Sequence, residues 1–285
     1  MTLRWDGSVS GRGFIFLALL ASLLVGSVAT AGLSVYPRAV FLSNSQRSVG
    51  LRLTNDGSDE REVWVESKYG YLTSDEKGDP FVVIDSIALD ERSAAQWIRV
   101  FPQRFILGPD STQTVKVFAS PQAGAVDGEY WARIVISSKR TNPPVPAKAR
   151  GQGGVGIVMI SQISLPFHYR VGTTSTGLEV SQLRVFPSRD TLTVGMFLKR
   201  TGNASFWGTA SLRLIDRLGK VVRSAQYKSV VYRAFSPRYK IDRRGIPSGE
   251  YRLEVELYAG RRVDVPREFE FEMAPVVASI QITLP

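Results

Sequence analysis

The chain of 285 residues contains no cysteine and only one histidine, His168. The missing thiols exclude disulfide bonds, thiolate metal sites, cysteine nucleophiles and lipid attachment through a cysteine. A single histidine, which we interpret as packed at a strand end, assembles neither a histidine-rich metal site nor a serine–histidine pair. We therefore expect no cofactor and no enzymatic activity, although chemistry by carboxylates alone stays open.

Long apolar runs are also scarce, and the one candidate covers only residues 14–25. A membrane-spanning helix needs about 20 apolar residues, so this run is too short to span comfortably. Arg4 and Arg12 precede it, and residues 29–31 (Ala-Thr-Ala) form a small-x-small cleavage site. These features predict a signal peptide over residues 1–31 and an exported product without stable membrane insertion. A leader retained as an anchor is the alternative.

Acidic residues are in the minority, because 26 Asp and Glu against 36 Lys and Arg give a formal charge of +10. Such an excess indicates either a solvated basic surface or an anionic partner. Nucleic acid is not expected as that partner, because the product is exported and its cations are spread through the chain.

Helical periodicity is absent after the leader, and segments with a period of two residues recur between turn-forming residues. Seven or eight such segments in each half are typical of an immunoglobulin-like sandwich. The sequence predicts an all-β protein with two immunoglobulin-like β-sandwich domains in tandem. The predicted strands are residues 33–42, 48–55, 62–69, 81–84, 97–101, 112–119, 130–137, 155–169, 178–185, 191–199, 209–216, 221–232, 238–241, 251–258, 267–273 and 278–284, with a helical turn at 90–96.

A short internal repeat supports two related domains, because Gly-Glu-Tyr at residues 128–130 recurs at residues 249–251. The small, turn-prone stretch 171–177 predicts the boundary. The first domain is then residues 32–170 and the second is residues 171–285.

The first predicted strand, residues 33–42, contains one arginine in an otherwise apolar row. By alternation, Arg38 shares a face with Tyr36, Val40 and Leu42. A guanidinium in such a row is usually met by a carboxylate or by several acceptors. Arg38 therefore predicts a bound carboxylate.

Residues 155–160 are apolar on both faces, whereas residues 267–273 alternate apolar and charged side chains. A sandwich buries only one face of an antiparallel strand by itself. The other face needs a cover, which is either the second domain and the long connection 138–154, or a partner chain that adds a strand to this edge.

Several stretches resemble the PapD-like periplasmic pilus-assembly chaperones of the chaperone–usher pathway. They are residues 36–41, 49–55, 98–117, 128–130 and 167–170. The resemblance implies two immunoglobulin-like domains set at an angle, with a cleft that grips an unfinished pilus subunit. It also implies a periplasmic location and an outer-membrane usher as a second partner.

In that family an arginine of the first strand anchors the C-terminal carboxylate of the subunit, and Arg38 occupies the matching position. A lysine usually supplies the second ligand, but the nearest match here is Ser164, whose hydroxyl carries no charge. Residues 155–163 match the donor strand, which is inserted into the subunit. Its apolar side chains are Val155, Ile157, Met159 and Ile163.

Lys116, Glu129 and Arg170 match an ion-pair network at the domain junction of the family, and exposed charges of little energetic weight are the alternative. Together these features predict a chaperone that caps pilus or fimbrial subunits by donating a β-strand. The alternative is an exported structural or adhesive protein of two immunoglobulin-like domains without chaperone activity.

Overall fold

The computed structural model describes residues 32–85, 91–142 and 158–285. The predicted signal peptide lies outside the described residues, as do Val155 and Ile157 of the predicted donor strand. In these three ranges no helix is long and apolar enough to cross a membrane.

The strands before residue 172 form two sheets around one core. They are β1 (Leu33–Tyr36), β2 (Val40–Ser43), β3 (Ser48–Asn55), β4 (Arg61–Ser74), β5 (Pro80–Asp85), β6 (Ile98–Phe101), β7 (Arg104–Leu107), β8 (Thr112–Ala119), β9 (Gly128–Arg140) and β10 (Ser161–Val171). One sheet has the order β1–β3–β8–β6, and the other has the order β2–β10–β9–β4–β5, with β7 also paired to β4. Leu51 and Leu53 of the first sheet and Ile134 and Ile136 of the second are fully buried in the shared core.

The strands after residue 177 form a second pair of sheets. They are β11 (Leu178–Pro187), β12 (Thr191–Arg200), β13 (Phe206–Asp216), β14 (Val221–Val231), β15 (Ala234–Phe235), β16 (Arg238–Asp242), β17 (Gly249–Tyr258) and β18 (Val276–Leu284). The orders are β11–β12–β15, with β16 paired to β12, and β14–β13–β17–β18.

Alternation explains how these strands reach their core. Along β17, Tyr251, Leu253, Val255 and Leu257 are buried while the residues between them are less so, because successive side chains point to opposite faces. Among the described residues no strand pairs across the two sets. The predicted fold class, two immunoglobulin-like sandwiches in tandem, is confirmed.

The prediction of one continuous strand over residues 33–42 is wrong. β1 pairs with β3 in one sheet, whereas β2 pairs in parallel with β10 in the other. The chain changes sheets through a bend at residues 37–39, where Pro37 has no N–H to donate to a ladder. Arg38 therefore lies in the bend and not within a strand.

The predicted strand at residues 267–273 is also absent. A short 3-10 turn, Arg267–Phe269, is followed by irregular chain up to β18. Phe269 is buried, but its ring packs against Phe41 of the first domain. Met273, by contrast, packs against the core of the second domain. The alternation of apolar and charged residues thus reflects contacts with both domains, and a period of two alone does not distinguish a strand from extended irregular chain. The predicted helical turn is a 3-10 turn at Ala95–Trp97.

Candidate functional site

A cleft of about 610 Å³ lies between the two sandwiches. The first domain supplies Tyr36 at the end of β1, the bend at residues 37–39 and Pro166 of β10. The second domain supplies Trp207 of β13, Lys228 of β14 and residues of the loop that follows β17. The cleft-lining residues of that loop are Val263, Asp264, Val265, Pro266 and Glu268. Both domains are therefore needed to form this site.

Arg38 is the cation that the first domain contributes to the cleft. Its side chain is exposed, and within the described ranges it has no ion pair or side-chain hydrogen bond. Beside it, Tyr36 is 72% exposed. The bend thus presents an unengaged guanidinium, with its five N–H donors, next to an exposed aromatic ring.

Ser164 is not among the residues that line this cleft. It lies two positions before Pro166 on β10, so the two side chains share a face. The Oγ atom of Ser164 is buried and has no hydrogen-bond partner in the part of the chain that the structure describes, which is uncommon for a buried hydroxyl. The residue of β10 that meets the cleft with Arg38 is Pro166, which has no side-chain donor.

The described part of the predicted donor strand is exposed and apolar. Val158, Met159 and Ile160 are 56%, 80% and 56% exposed and have no regular secondary structure. β10 begins at Ser161, and Ile163 packs against the core of the first domain. The second domain therefore does not bury residues 158–160.

β10 is paired unequally along its two edges. β9 pairs with it along its whole length, whereas β2 pairs only with Phe167–Arg170. Within the described ranges, residues 161–166 consequently have no strand on one side. An open edge of this kind accepts a further strand.

A buried ionic network lies at the domain junction. The Nε of Arg170 donates to Oε2 of Glu129 at 3.0 Å, and its Nη2 donates to the carbonyl of Phe269 in the second domain at 2.9 Å. The structure thus brings Glu129 and Arg170 together, as in the predicted network. Lys116 is not part of it, because this residue lies on the exposed face of β8 beside Gly50 and Phe101.

Sequence reasoning missed the central member of this network, His168. The Nδ1 of this ring lies 2.9 Å from Oε1 of Glu129, and the hydroxyl of Tyr232 lies 3.1 Å from its Nε2. Ser205 donates to Glu129 through its hydroxyl and, at 3.2 Å, through its backbone N–H. These partners assign a neutral ring with its proton on Nδ1, because Nε2 then accepts from the tyrosine.

Aromatic rings enclose the histidine on several sides. It stacks on Phe41 of β2 with ring centroids 4.7 Å apart and on Tyr232 of the second domain at 5.4 Å. The indole of Trp207 meets it edge-on at 5.0 Å. The only available signal in the sequence was that His168 and Arg170 share a face of one strand, and nothing nearby pointed to the partners from the second domain.

The network sets the charges at the junction. Burial lowers the pKa of His168 despite the attraction of Glu129, so the ring is neutral at pH 7. Burial acts to raise the pKa of Glu129, but the contacts with His168, Arg170 and Ser205 outweigh it and lower this pKa to about 2. Glu129 is therefore ionised at neutral pH and balanced by Arg170.

We expect stability to fall as the pH drops below about 6.5, the ordinary pKa of histidine. The unfolded chain then binds a proton that the folded ring resists, so the free energy of unfolding decreases by up to about 1.4 kcal/mol per pH unit. Urea unfolding at pH 7.5, 6.5 and 5.5 measures this slope, and His168 is the only histidine that contributes. The variant His168→Gln should flatten the slope in this range, and an unchanged slope would contradict the assignment.

Among the described residues no group of Asp, Glu, His or Cys is arranged to hold a metal ion. No protein-family model matches the chain, and no curated protein matches it.

The chain is similar to several solved structures of chaperones. One is the CsuC–CsuE chaperone–tip adhesion subunit complex from the archaic chaperone–usher Csu pili of Acinetobacter baumannii, with 11% identity, 87% of this chain and 98% of that chain covered, and a TM-score of 0.44. Another is the CupB2 chaperone of Pseudomonas aeruginosa, with 12% identity, 88% and 100% covered, and a TM-score of 0.44. A chaperone–tip adhesin complex of CFA/I fimbriae has 12% identity, 87% and 98% covered, and a TM-score of 0.45.

Proposed function

We propose that the chain is a periplasmic chaperone that binds and caps pilus or fimbrial subunits. Its first domain, residues 32–170, and its second, residues 171–285, hold the subunit between them. The observation that carries the proposal is Arg38, which lines the interdomain cleft as an exposed cation without an ion pair in the described ranges. A guanidinium in this state is suited to bind a carboxylate in bidentate fashion.

The open edge of β10 leads to this cation. A partner strand that pairs with residues 161–166 reaches Pro166, which lines the cleft together with Arg38. If that strand runs parallel to β10, its C-terminal end lies at the cleft, and its terminal carboxylate meets the guanidinium. In this arrangement one partner strand both pairs with the edge of β10 and places its terminal carboxylate at Arg38.

Apolar side chains on the same segment supply affinity. Burying three side chains such as Val158, Met159 and Ile160 contributes about 5–9 kcal/mol before the costs of ordering and association are subtracted. In this proposal Val155, Ile157 and Met159 enter the subunit, whereas Ile163 packs against the core of the first domain. Ser164 is not a ligand in this proposal, because its hydroxyl oxygen is buried and the residue does not line the cleft.

None of the remaining predicted residues contacts the subunit in this proposal. Glu129 and Arg170 fix the junction and so the width of the cleft, since Arg170 contacts both Glu129 and the second domain. Lys116 lies on a separate exposed face and takes no part in subunit binding. An outer-membrane usher is the proposed second partner, and no catalysis is proposed.

Purification of an affinity-tagged chain from the periplasm of its native host tests the proposal. We expect a small secreted protein to copurify, identified by mass spectrometry. Arg38→Ala should reduce the affinity for this protein about 30-fold or more, because removing one partner of a desolvated ion pair costs about 2–5 kcal/mol.

The matched control is Arg189→Ala, an exposed arginine between β11 and β12 that does not line the cleft. It should leave the complex unchanged, and both variants should unfold within about 0.5 kcal/mol of the original chain. Equal recovery with Arg38→Ala would contradict the carboxylate anchor. Recovery of the chain itself within a surface fibre would favour the structural or adhesive alternative.

A further inference from the structure

Lys228 is a second cation in the cleft, and it belongs to the second domain. It lies on β14, its side chain is exposed, and it lines the same cleft as Arg38. Within the described ranges it has no ion pair and no side-chain hydrogen bond. Two unengaged cations from different domains therefore line one cavity.

One acid of the cleft, Asp264, is already paired with an arginine. It receives two hydrogen bonds from Arg262, at 2.9 Å from Nε and 2.6 Å from Nη2. The pKa of Asp264 is lowered first by this hydrogen bonding and further by nearby Lys228. Because Arg262 satisfies the charge of Asp264, the ammonium of Lys228 is left available for a ligand.

Among the described residues, Arg38 is the only cation of the first domain that lines the cleft, and the residue of β10 at this position is Pro166. We propose that Lys228 is the second cationic ligand of the partner, so that a terminal carboxylate is held by Arg38 from one domain and Lys228 from the other. This inference rests on the proposed function of the cleft and adds the second domain to the carboxylate site.

The remaining walls define the chemistry of the bound chain end. Tyr36, Trp207 and Val265 line the cleft around the two cations. Their rings and aliphatic groups favour an apolar last side chain next to the free carboxylate. The ligand is therefore an extended polypeptide end that is apolar and carries a free C-terminus.

Glu268 provides an independent test of whether the ligand is an anion or a cation. Its exposed carboxylate also lines the cleft and has no ion pair in the described part of the chain. If the ligand is an anion, removing this negative charge strengthens binding, and removing either cation weakens it. If the ligand is a cation, removing the negative charge weakens binding, and removing either positive charge strengthens it.

The probe is a fluorescein-labelled peptide, Thr-Val-Thr-Val-Thr-Val, made with a free terminal carboxylate and in an amidated form. Fluorescence anisotropy with the full exported chain measures its affinity at low salt. We expect Lys228→Gln to weaken binding of the free-acid peptide about two- to fivefold and to leave the affinity of the amidated peptide unchanged. Glu268→Gln should strengthen binding of the free acid about twofold.

The matched control is Lys199→Gln, an exposed lysine of β12 that does not line the cleft; it should change neither affinity. If Arg38→Ala weakens the free acid but Lys228→Gln does not, the proposed function stands and the inference about Lys228 is overturned. If the free and amidated peptides bind equally, or neither binds, the carboxylate anchor itself fails, and this inference fails with it.

Discussion

Replacing Glu129 by alanine is expected to lower the free energy of unfolding by about 3–5 kcal/mol. The carboxylate is fully buried and is contacted by His168, Arg170 and Ser205. Its removal leaves the guanidinium of Arg170 without its charged partner at a buried junction. Removing one member of a buried pair is far more destabilising than the net contribution of the pair itself. Urea unfolding at pH 7 measures the loss.

Glu66→Ala is the matched control for that experiment. This glutamate is half exposed and lies 3.3 Å from Lys68, so its loss should change stability by less than about 0.5 kcal/mol. Glu129→Gln keeps the size of the side chain and one acceptor oxygen, so its loss of stability should lie between those of Glu129→Ala and Glu66→Ala. A loss under about 1 kcal/mol for Glu129→Ala would mean that the junction does not depend on this carboxylate.

The effect of Glu129 should also depend on pH with a defined sign. Its pKa is lowered from the ordinary value near 4.5 to about 2, so its contribution is complete above about pH 4.5 and is lost as the pH falls towards 2. The difference in stability between the original chain and Glu129→Ala should therefore shrink across this range. A constant difference would contradict the lowered pKa.

Replacing Met159 by glutamate is expected to reduce recovery of the subunit complex at least about 100-fold. The proposal places this side chain in the partner, where its burial contributes about 1.5–3 kcal/mol. A carboxylate in the same apolar groove adds a desolvation penalty. Because Met159 is 80% exposed in the free chain, the thermal midpoint should not change.

Leu218→Glu is the control for this substitution. Leu218 is 93% exposed in the turn between β13 and β14, so it introduces the same charge at an exposed apolar position outside the proposed interface. Copurification from the periplasm should be normal with this variant. Unchanged recovery with Met159→Glu would remove the donated strand from the mechanism.

Alternation of apolar residues was sufficient to predict most strands and the pair of sandwiches, because each sheet buries one face and exposes the other. The change of sheet at Pro37 was not predictable from the period, since both sides of the bend have strand-like patterns. Pro37 itself was the available signal. The same period predicted a strand at residues 267–273, where Phe269 instead packs in irregular chain against Phe41 of the first domain and Val265 of its own.

The residues of the candidate site also differ in whether the sequence could predict them. Arg38 stands out in the sequence because a charge interrupts an apolar row, and the structure places it on the cleft. Lys228 was not predictable, because exposed lysines occur throughout this basic chain and only the meeting of the two domains brings this one to the cleft. His168 was interpreted as a packed residue. Its partner Tyr232 and the Ser205 that donates to Glu129 lie far away in the sequence, just after β14 and just before β13.

The only imidazole of this chain lies between its two sandwiches, in contact with Phe41 and Tyr232. The chain therefore carries a single native imidazole reporter at the junction of its two domains. In nuclear magnetic resonance spectra one histidine ring signal, shifted by the currents of the stacked rings, would follow the relative orientation of the sandwiches without any added label. Because Phe41 follows Arg38 by only three residues, the same signal would register occupation of the cleft.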